Sequence, residues 1–308
     1  SLMQVLNFEQ CEVFENVLVS SAITLIKNSV NSTNDTLKYK YWYKLQRQEF
    51  ILSFLQGVNQ IGNYPLAFLS EEAWSFSDEI DLKIKNKIEQ GNTMLSEIDG
   101  ISIYRGITTG YNPAFIITKH QRKKLLDENP KNIEIIKNML EGKNIRKWYY
   151  NESPNYLLQT GYSVDIKSLY PSVYNHLLIF YDKLHARADQ GKNWYNLRAC
   201  SFYDEFERDS KIIWGLTADK WAFAYDDQQH YLPSNGYILT SNTLPIKYIL
   251  GLLNSKVLDY YFSFIGVMTA GGAYTLKHDT ISKLPFPPVQ PDQQQPIIAL
   301  VGDILAAK

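Results

Sequence analysis

The sequence predicts an α/β chain in two parts, with mixed sheets and helices on both sides of a boundary near residue 95. Three observations carry this. Short β-rich runs between turns, such as "ISIYRGI", "KIIWGLT" and "GYILTS", recur along the later two thirds of the chain. Segments with apolar residues at helical spacing lie between them. The pattern changes after a helix that ends at Gly91-Asn92, where glycine supplies the usual C-terminal stop.

Taken in order, "CEVFENVLVSSAITLIKNS" (Cys11–Ser29) holds two β-rich runs, and Ala22–Ile26 reads as a buried strand closing a sheet. "VNSTNDT" (Val30–Thr36) is polar and turn-rich, so it reads as a loop. Ser77, Asp78 and Glu79 open a capped amphipathic helix through Gln90, with Ile80, Ile84 and Ile88 as its apolar stripe. Beyond Ile101, strands alternate with helices expected at Lys119–Glu128 and Ile133–Leu140. Thr243–Phe264 reads as one long helix capped by Thr243, and Gln293–Lys308 as another after the proline-rich "LPFPPVQP". The expected division is residues 1–95 and residues 96–308.

The bulk numbers narrow the function. The chain has 308 residues, 45% apolar and 20% charged, enough to bury a sizeable core. Its net charge of −1 excludes a uniformly basic protein, so any polyanion must be met by local patches. Aromatics reach 14%, with 22 Tyr, a residue suited to cores and interfaces alike. Cys11 and Cys200 are far apart and make no metal spacing, which reads as free thiols in a reducing compartment. His120, His176, His185, His230 and His278 are scattered, so no metal site is expected. No apolar run is long enough to span a membrane and no basic–apolar leader opens the chain, so a cytoplasmic location is expected. Ser1-Leu2-Met3 reads as a cloning junction ahead of an internal fragment.

Asn112-Pro113-Ala114-Phe115 is one residue from Asn-Pro-Pro-Phe/Tyr, the signature of enzymes that methylate the exocyclic amine of a DNA base. Such an enzyme also needs a strand, a Gly-rich turn and a helix upstream to hold S-adenosylmethionine, and residues before Asn112 spell no such unit. The tetrapeptide therefore reads as structural, with Gly106 and Gly110 giving freedom to a tight turn.

The wider stretch "GITTGYNPAFII" resembles the Gly-Ile-x-Thr-Gly-x-Asn-x-Ala-Phe opening of the TaqI-like C-terminal specificity domain, the target-recognition part of type II and IIG adenine-specific DNA methyltransferases and restriction–modification enzymes. Further segments follow in that family's order: "LEGKNIRKWYY" (Leu140–Tyr150), "NWYNLRAC" (Asn193–Cys200), "SKIIWGLT", "YILGLLNSKVLDYYF" and "ISKLPFPP". The resemblance covers about Leu95 to Lys308. It implies a mixed-sheet DNA target-recognition domain with C-terminal helices, preceded by a remnant of a methyltransferase domain. It also implies that the Gly-rich motif and true Asn-Pro-Pro-Tyr lie before Ser1. On this reading the chain itself is not an enzyme and binds no cofactor, while S-adenosylmethionine serves the catalytic domain of the parent chain. The implied partners are double-stranded DNA and that methyltransferase domain.

Recognition of DNA needs cations for phosphates and paired donors and acceptors for base edges. The opening motif offers Thr108, Thr109, Tyr111 and Asn112. "KHQRKK" offers Lys119 and Arg122. "GKNIRKWYY" interleaves Lys143, Arg146 and Lys147 with Trp148, Tyr149 and Tyr150. "HARADQGKNWYNLR" holds His185, Arg187, Lys192 and Arg198. "TAGGAYTLKHD" places Thr269, Tyr274, Lys277 and His278 around a flexible Gly271-Gly272 loop.

Two other chemistries share spellings with the chain. "DIKSLYPS" (Asp165–Ser172) resembles a metal-binding motif of family B DNA polymerases, but one such motif without a second acidic one is weak. Asp226-Asp227 reads as a solvated turn pair. The reading from a different class is a protein–protein interaction module of a multi-subunit restriction system, docking through the helices near Thr243–Phe264 and Gln293–Lys308.

Overall fold

The computed structural model describes residues 2–8, 11, 13–15, 21–28, 35–42, 45–66, 79–269 and 273–308. The chain forms two units: residues 1–93 with 256–276 and 284–288, and residues 94–255 with 277–283 and 289–308. The sequence boundary near 95 kept everything after it together. The contacts instead return two later segments to the first unit.

In the first unit, β1 (Leu2–Asn7), β2 (Ala22–Ile26), β3 (Thr36–Tyr41) and β4 (Gln60–Pro65) lie in the order β2-β1-β3-β4. β1 runs antiparallel to β2 and parallel to β3, and β3 runs antiparallel to β4. Val5, Leu37, Tyr64 and Leu66 form one buried cluster. Phe8, Cys11, Trp42 and Phe50 form a second, closed by helix α1 (Arg47–Leu55).

Ala22–Ile26 is a strand, as expected, but not a buried one. All five of its residues are exposed, and among the described residues it pairs with β1 alone. Residues 16–20 of the paired run and residues 30–34 of the expected loop lie outside the described residues.

Helix α2 (Glu79–Glu89) occupies the expected span, with Ser77 and Asp78 outside the described residues. Its apolar stripe was misread: Ile80 and Ile84 are exposed, and Leu82 packs on the Val5 cluster.

The second unit contains β5 (Ile101–Arg105), α3 (Asn112–Phe115), β6 (Ile116–Thr118), α4 (Lys119–Glu128), β7 (Ile136–Asn138) and β8 (Asn155–Leu158). It continues through α5 (Ile166–Leu169), α6 (Pro171–Leu178), α7 (Tyr181–His185), α8 (Tyr203–Phe206), β9 (Lys211–Gly215), β10 (Ala224–Asp226), β11 (Gly236–Ser241) and α9 (Ile246–Leu253). Its main sheet has the order β10-β9-β11-β5, antiparallel at every pairing. A smaller antiparallel sheet has the order β6-β8-β7.

β9 is buried at every position, which explains why "KIIWG" shows no polar alternation. Trp214 on β9 is fully buried and stacks on Tyr237 of β11 with ring centroids 5.5 Å apart. The core between the sheets and helices holds Phe115, Leu157, Leu177, Ile213 and Ile238.

Two helix expectations change here. Ile133–Leu140 is a 3₁₀ turn, Pro130–Glu134, followed by β7. Buried Asn132 donates to Leu125 O (2.7 Å) and Ser172 Oγ (2.7 Å), which pins the turn, and pairing of β7 with β8 takes the following residues. Thr243–Phe264 is two helices. Pro245, not Thr243, caps α9, and Thr243 Oγ1 donates to Asp99 O at 2.5 Å. α9 stops at Asn254, which is buried and gives both ends of its amide to the Phe223 backbone (3.2 and 2.9 Å).

The chain then returns to the first unit as α10 (Lys256–Ile265). There the Tyr260 hydroxyl bonds Asp81, and the Tyr261 hydroxyl donates to Glu89 Oε1 at 2.7 Å, both on α2. α11 (His278–Ile281) and α12 (Pro291–Ala306) complete the second unit. α12 matches the expected tail helix within two residues.

Candidate nucleic-acid interface

The motif that opens the second unit is built from close backbone approach. A Cβ on Gly106 would lie 2.0 Å from Pro233 O, so no other residue fits, and Gly110 sits at φ +71°. Thr109 is buried; its hydroxyl donates to Asn112 Oδ1 (2.6 Å) and its carbonyl accepts from buried Arg187 (2.5 Å). Thr109 therefore supports Asn112 from behind rather than facing a ligand. Asn112 itself is exposed at the first turn of α3, with Thr108 and Tyr111 half-buried beside it. Phe115, which would be the stacking ring of an Asn-Pro-Pro-Phe site, is fully buried under the Arg187 guanidinium at 4.6 Å. The tetrapeptide is a structural turn leading into β6.

Arg187 is a correction to the fourth basic patch. It donates to four backbone carbonyls, of Leu184, Thr109, Trp194 and Asn196, and burial pulls its pKa down to about 10. It is the structural arginine of this region. Arg198 is exposed and pairs with Asp189 at 3.0 Å.

On α4, Thr118 caps the helix through Gln121. Lys123 pairs with Asp127 (2.6 Å) and Lys124 with Glu128 (3.9 Å), which neutralises half of the "KHQRKK" run. Lys119 is exposed, and Arg122 lies over the Tyr156 ring at 4.8 Å.

Residues 142–150 expose three cations, Lys143, Arg146 and Lys147. Ile145 bridges Tyr150, and Arg146 N donates to Tyr149 O (2.8 Å), closing a tight turn with Lys147 and Trp148 at its tip. Trp148 has φ +80°, rare for a bulky residue, and its backbone is held on both sides, to Phe223 O (2.8 Å) and Tyr225 N (3.2 Å). Arg146 and Lys147 are exposed, and neither meets an acid among the described residues. Lys143, by contrast, pairs with Glu141.

One groove brings Lys143 and Asn112 together, lined also by Thr217, Ser234 and Asn235. A second is lined by Trp148, Tyr149, Tyr225, Lys247 and Lys308, with Lys308 Nζ 4.7 Å from the centre of the Tyr149 ring.

The remaining candidates are elsewhere. Thr269 and Tyr274 belong to the first unit, where Thr269 Oγ1 accepts from Ala273 N (3.1 Å) and the Tyr274 hydroxyl donates to Asp259 (2.9 Å). Lys277 belongs to the second unit and is exposed. Gly271 and Gly272 lie outside the described residues.

Asp165 of the polymerase-like spelling is exposed and caps α5 by accepting from Ser168 N (3.1 Å); hydrogen bonds from the Ser168 side chain and backbone lower its carboxyl pKa. The described residues contain no cluster of three or more potential metal ligands.

Sequence reasoning missed one constellation. Asp226 is not a solvated turn acid. It is fully buried and pairs with fully buried Lys211 at 2.6 Å. Its carboxylate also accepts from Gln228 N (3.1 Å), His230 N (3.0 Å) and His230 Nδ1 (2.8 Å). Burial acts to raise the Asp226 carboxyl. The His230 bond and the Lys211 charge outweigh it and bring it down to about 2. A lysine opening an otherwise apolar run, "KIIW", was the available signal, since such a charge is buried only when paired. This anchored loop borders a third groove, lined by Asn138, Glu152, Asn155, Tyr156, Gln228 and His230.

Comparison with known proteins follows the same direction. Residues 137–286 match the family model of the TaqI-like C-terminal specificity domain. No curated protein matches the chain. Among solved structures, the type IIL restriction-modification enzyme MmeI in complex with DNA matches 99% of the chain at a TM-score of 0.61 and 12% identity. The type IIG restriction endonuclease BpuSI matches 98% at a TM-score of 0.50 and 10% identity. The chain spans 38% of the length of each. No helix among the described residues is long and apolar enough to cross a membrane. The chain thus shares its mixed helix-and-sheet fold with restriction-modification enzymes, and over residues 137–286 it matches the TaqI-like C-terminal specificity domain.

Proposed function

We propose that this chain reads a specific sequence in duplex DNA and positions it for a separate catalytic domain, which transfers a methyl group to adenine N6 using S-adenosylmethionine. On this reading the chain binds no cofactor and performs no chemistry itself, and residues 1–95 are the C-terminal remnant of a methyltransferase domain with a linker helix. The observation that carries it is the hairpin tip at Arg146 and Lys147, two exposed cations free of acids among the described residues, inside the segment that matches a specificity domain. Fixed cations at a rigid tip suit phosphates, while the polar grooves beside them suit base edges. Lys119, Lys143, Arg122, Arg198 and Lys277 would add phosphate contacts, with Asn112 at the mouth of the Lys143 groove. Thr108 and Tyr111 flank Asn112, whereas Thr269 and Tyr274 would act from the first unit.

The test is selection of this chain on a randomised duplex pool at low and moderate salt, with the bound fraction sequenced. An enriched short motif, with affinity falling as salt rises, is expected. Arg146→Ala and Lys147→Ala should each lower affinity for all sequences and reduce the salt slope by about 1. Absence of binding at low salt would remove this reading and leave partner docking through α9, α10 or α12, which should be insensitive to salt.

A further inference from the structure

The groove beside the Asp226 loop differs from the other two in its charge. Its lining, which includes Asn138, Glu152, Asn155, Tyr156, Gln228 and His230, holds no lysine or arginine. None of the residues that line it would offer a phosphate a cation. Amide, imidazole and carboxylate groups are the ones that discriminate base edges.

The loop that presents two of these side chains is fixed with unusual investment. Buried Asp226 holds Gln228 N, His230 N and His230 Nδ1 at once, and Lys211 compensates its charge from β9. Gln229, between the two presented residues, is held at φ +56°. A positive φ at a non-glycine residue persists only where its surroundings fix it. The His230 ring also meets the Tyr150 ring edge-on, with centroids 4.7 Å apart. A side chain this constrained is preorganised for a directional contact.

The direction follows from chemistry. The Asp226 carboxylate can only accept, so His230 Nδ1 carries a proton, and whenever the ring holds that one proton alone its Nε2 is an acceptor. His230 lines the groove, and its Nε2 has no hydrogen-bond partner among the described residues. Gln228 commits its Nε2 to Asp227 Oδ1 (3.0 Å), which leaves its amide oxygen as the free acceptor. Glu152 adds a third acceptor to the wall.

We infer that His230 and Gln228 read an exocyclic amino group, N6 of adenine or N4 of cytosine, at one position of the target. These are the two amino donors that bases expose in the major groove. The inference rests on the DNA-reading function proposed above. It assigns specificity to residues outside the basic clusters.

The experiment repeats the pool selection with His230→Ala and Gln228→Ala beside the wild-type chain, each first checked by thermal unfolding. Gln228 is exposed, so its variant keeps the test open if His230→Ala unfolds. The expected result is a motif in which one position, adenine or cytosine for the wild type, loses about tenfold or more of its preference in the variants. The other positions and the salt slope should stay as they were. An unchanged motif in the folded variants overturns the inference while leaving DNA reading intact. So does a salt slope that falls by about 1, which would make His230 a phosphate contact. A wild-type chain that enriches no motif overturns both readings together.

Discussion

Strands β2 and β11 are made of similar side chains and end in opposite environments. β2 is Ala-Ile-Thr-Leu-Ile and is exposed at every residue, with Ile23 and Leu25 each 53% exposed. β11 is Gly-Tyr-Ile-Leu-Thr-Ser and is buried at its first five, with Ile238 and Leu239 fully inside. The difference lies in the neighbours. Among the described residues β2 pairs with β1 alone at the end of its sheet, whereas β11 sits between β9 and β5. Apolar, β-branched composition selects the extended backbone; burial is decided by what the rest of the chain lays against each face. The second sheet is also where the chain hides a charge pair, Lys211 on β9 against Asp226 on β10.

The largest effect should come from that pair. Lys211→Met would leave the Asp226 carboxylate buried without its cation and should cost about 3–5 kcal/mol, read from urea unfolding. Changing both, Lys211→Met with Asp226→Leu, should recover part of the loss, because no uncompensated charge then remains, while the bonds from Gln228 N and His230 stay lost. A single-variant cost below about 1 kcal/mol would break the contrast between the two sheets, because it would mean that water reaches the pair. Ile238→Ala comes next, at about 2–5 kcal/mol, by loss of buried methyl groups and the cavity left behind.

How much of this was legible in the sequence depended on the range of the interaction. Local signals worked. The Lys119–Glu128 helix, the tail helix after the proline-rich segment and the strands at 101–105, 211–215 and 236–241 all follow from turns, apolar runs and helical spacing. Ordered motifs identified the specificity-domain segment. Expectations that depended on distant partners failed. Ile133–Leu140 has helical spacing, but its backbone is claimed by β8 and its turn by Asn132, whose partners are seven and forty residues away. The long Thr243–Phe264 pattern breaks because Asn254 is occupied by Phe223, thirty-one residues back. Arg187 and Asp226 looked like surface charges because their partners are scattered in sequence. The same blindness hid the groove at His230, whose acceptors converge only once β7, β8 and the Asp226 loop are in place.

Acid should separate the two sheets next. The Asp226 carboxyl falls from an ordinary 3.8 to about 2 on folding. A depressed carboxyl contributes stability that is complete above its unfolded pKa and lost as pH falls through the folded one. About 2 kcal/mol should therefore disappear between pH 4 and pH 2, beyond what other carboxylates lose. The double variant lacking both charges should have a correspondingly flatter profile. Equal acid slopes in the two proteins would show that the carboxylate gains nothing on folding.

The smallest effect should be at the exposed strand, and it is the most direct check on what the comparison teaches. Leu25→Ala removes as many carbons as a core leucine variant, yet over half of the side chain already meets solvent. Surface substitutions of this kind fall within about 0.5 kcal/mol, so its unfolding midpoint should stay close to that of the wild type at low protein concentration. Ile238→Ala, measured in parallel, supplies the scale. A loss at Leu25 approaching that of Ile238 would mean that the β2 face is covered in solution. The loss should then shrink on dilution if a second copy provides the cover, because a cover gained by association is governed by mass action. A loss independent of concentration would place the cover within the same chain.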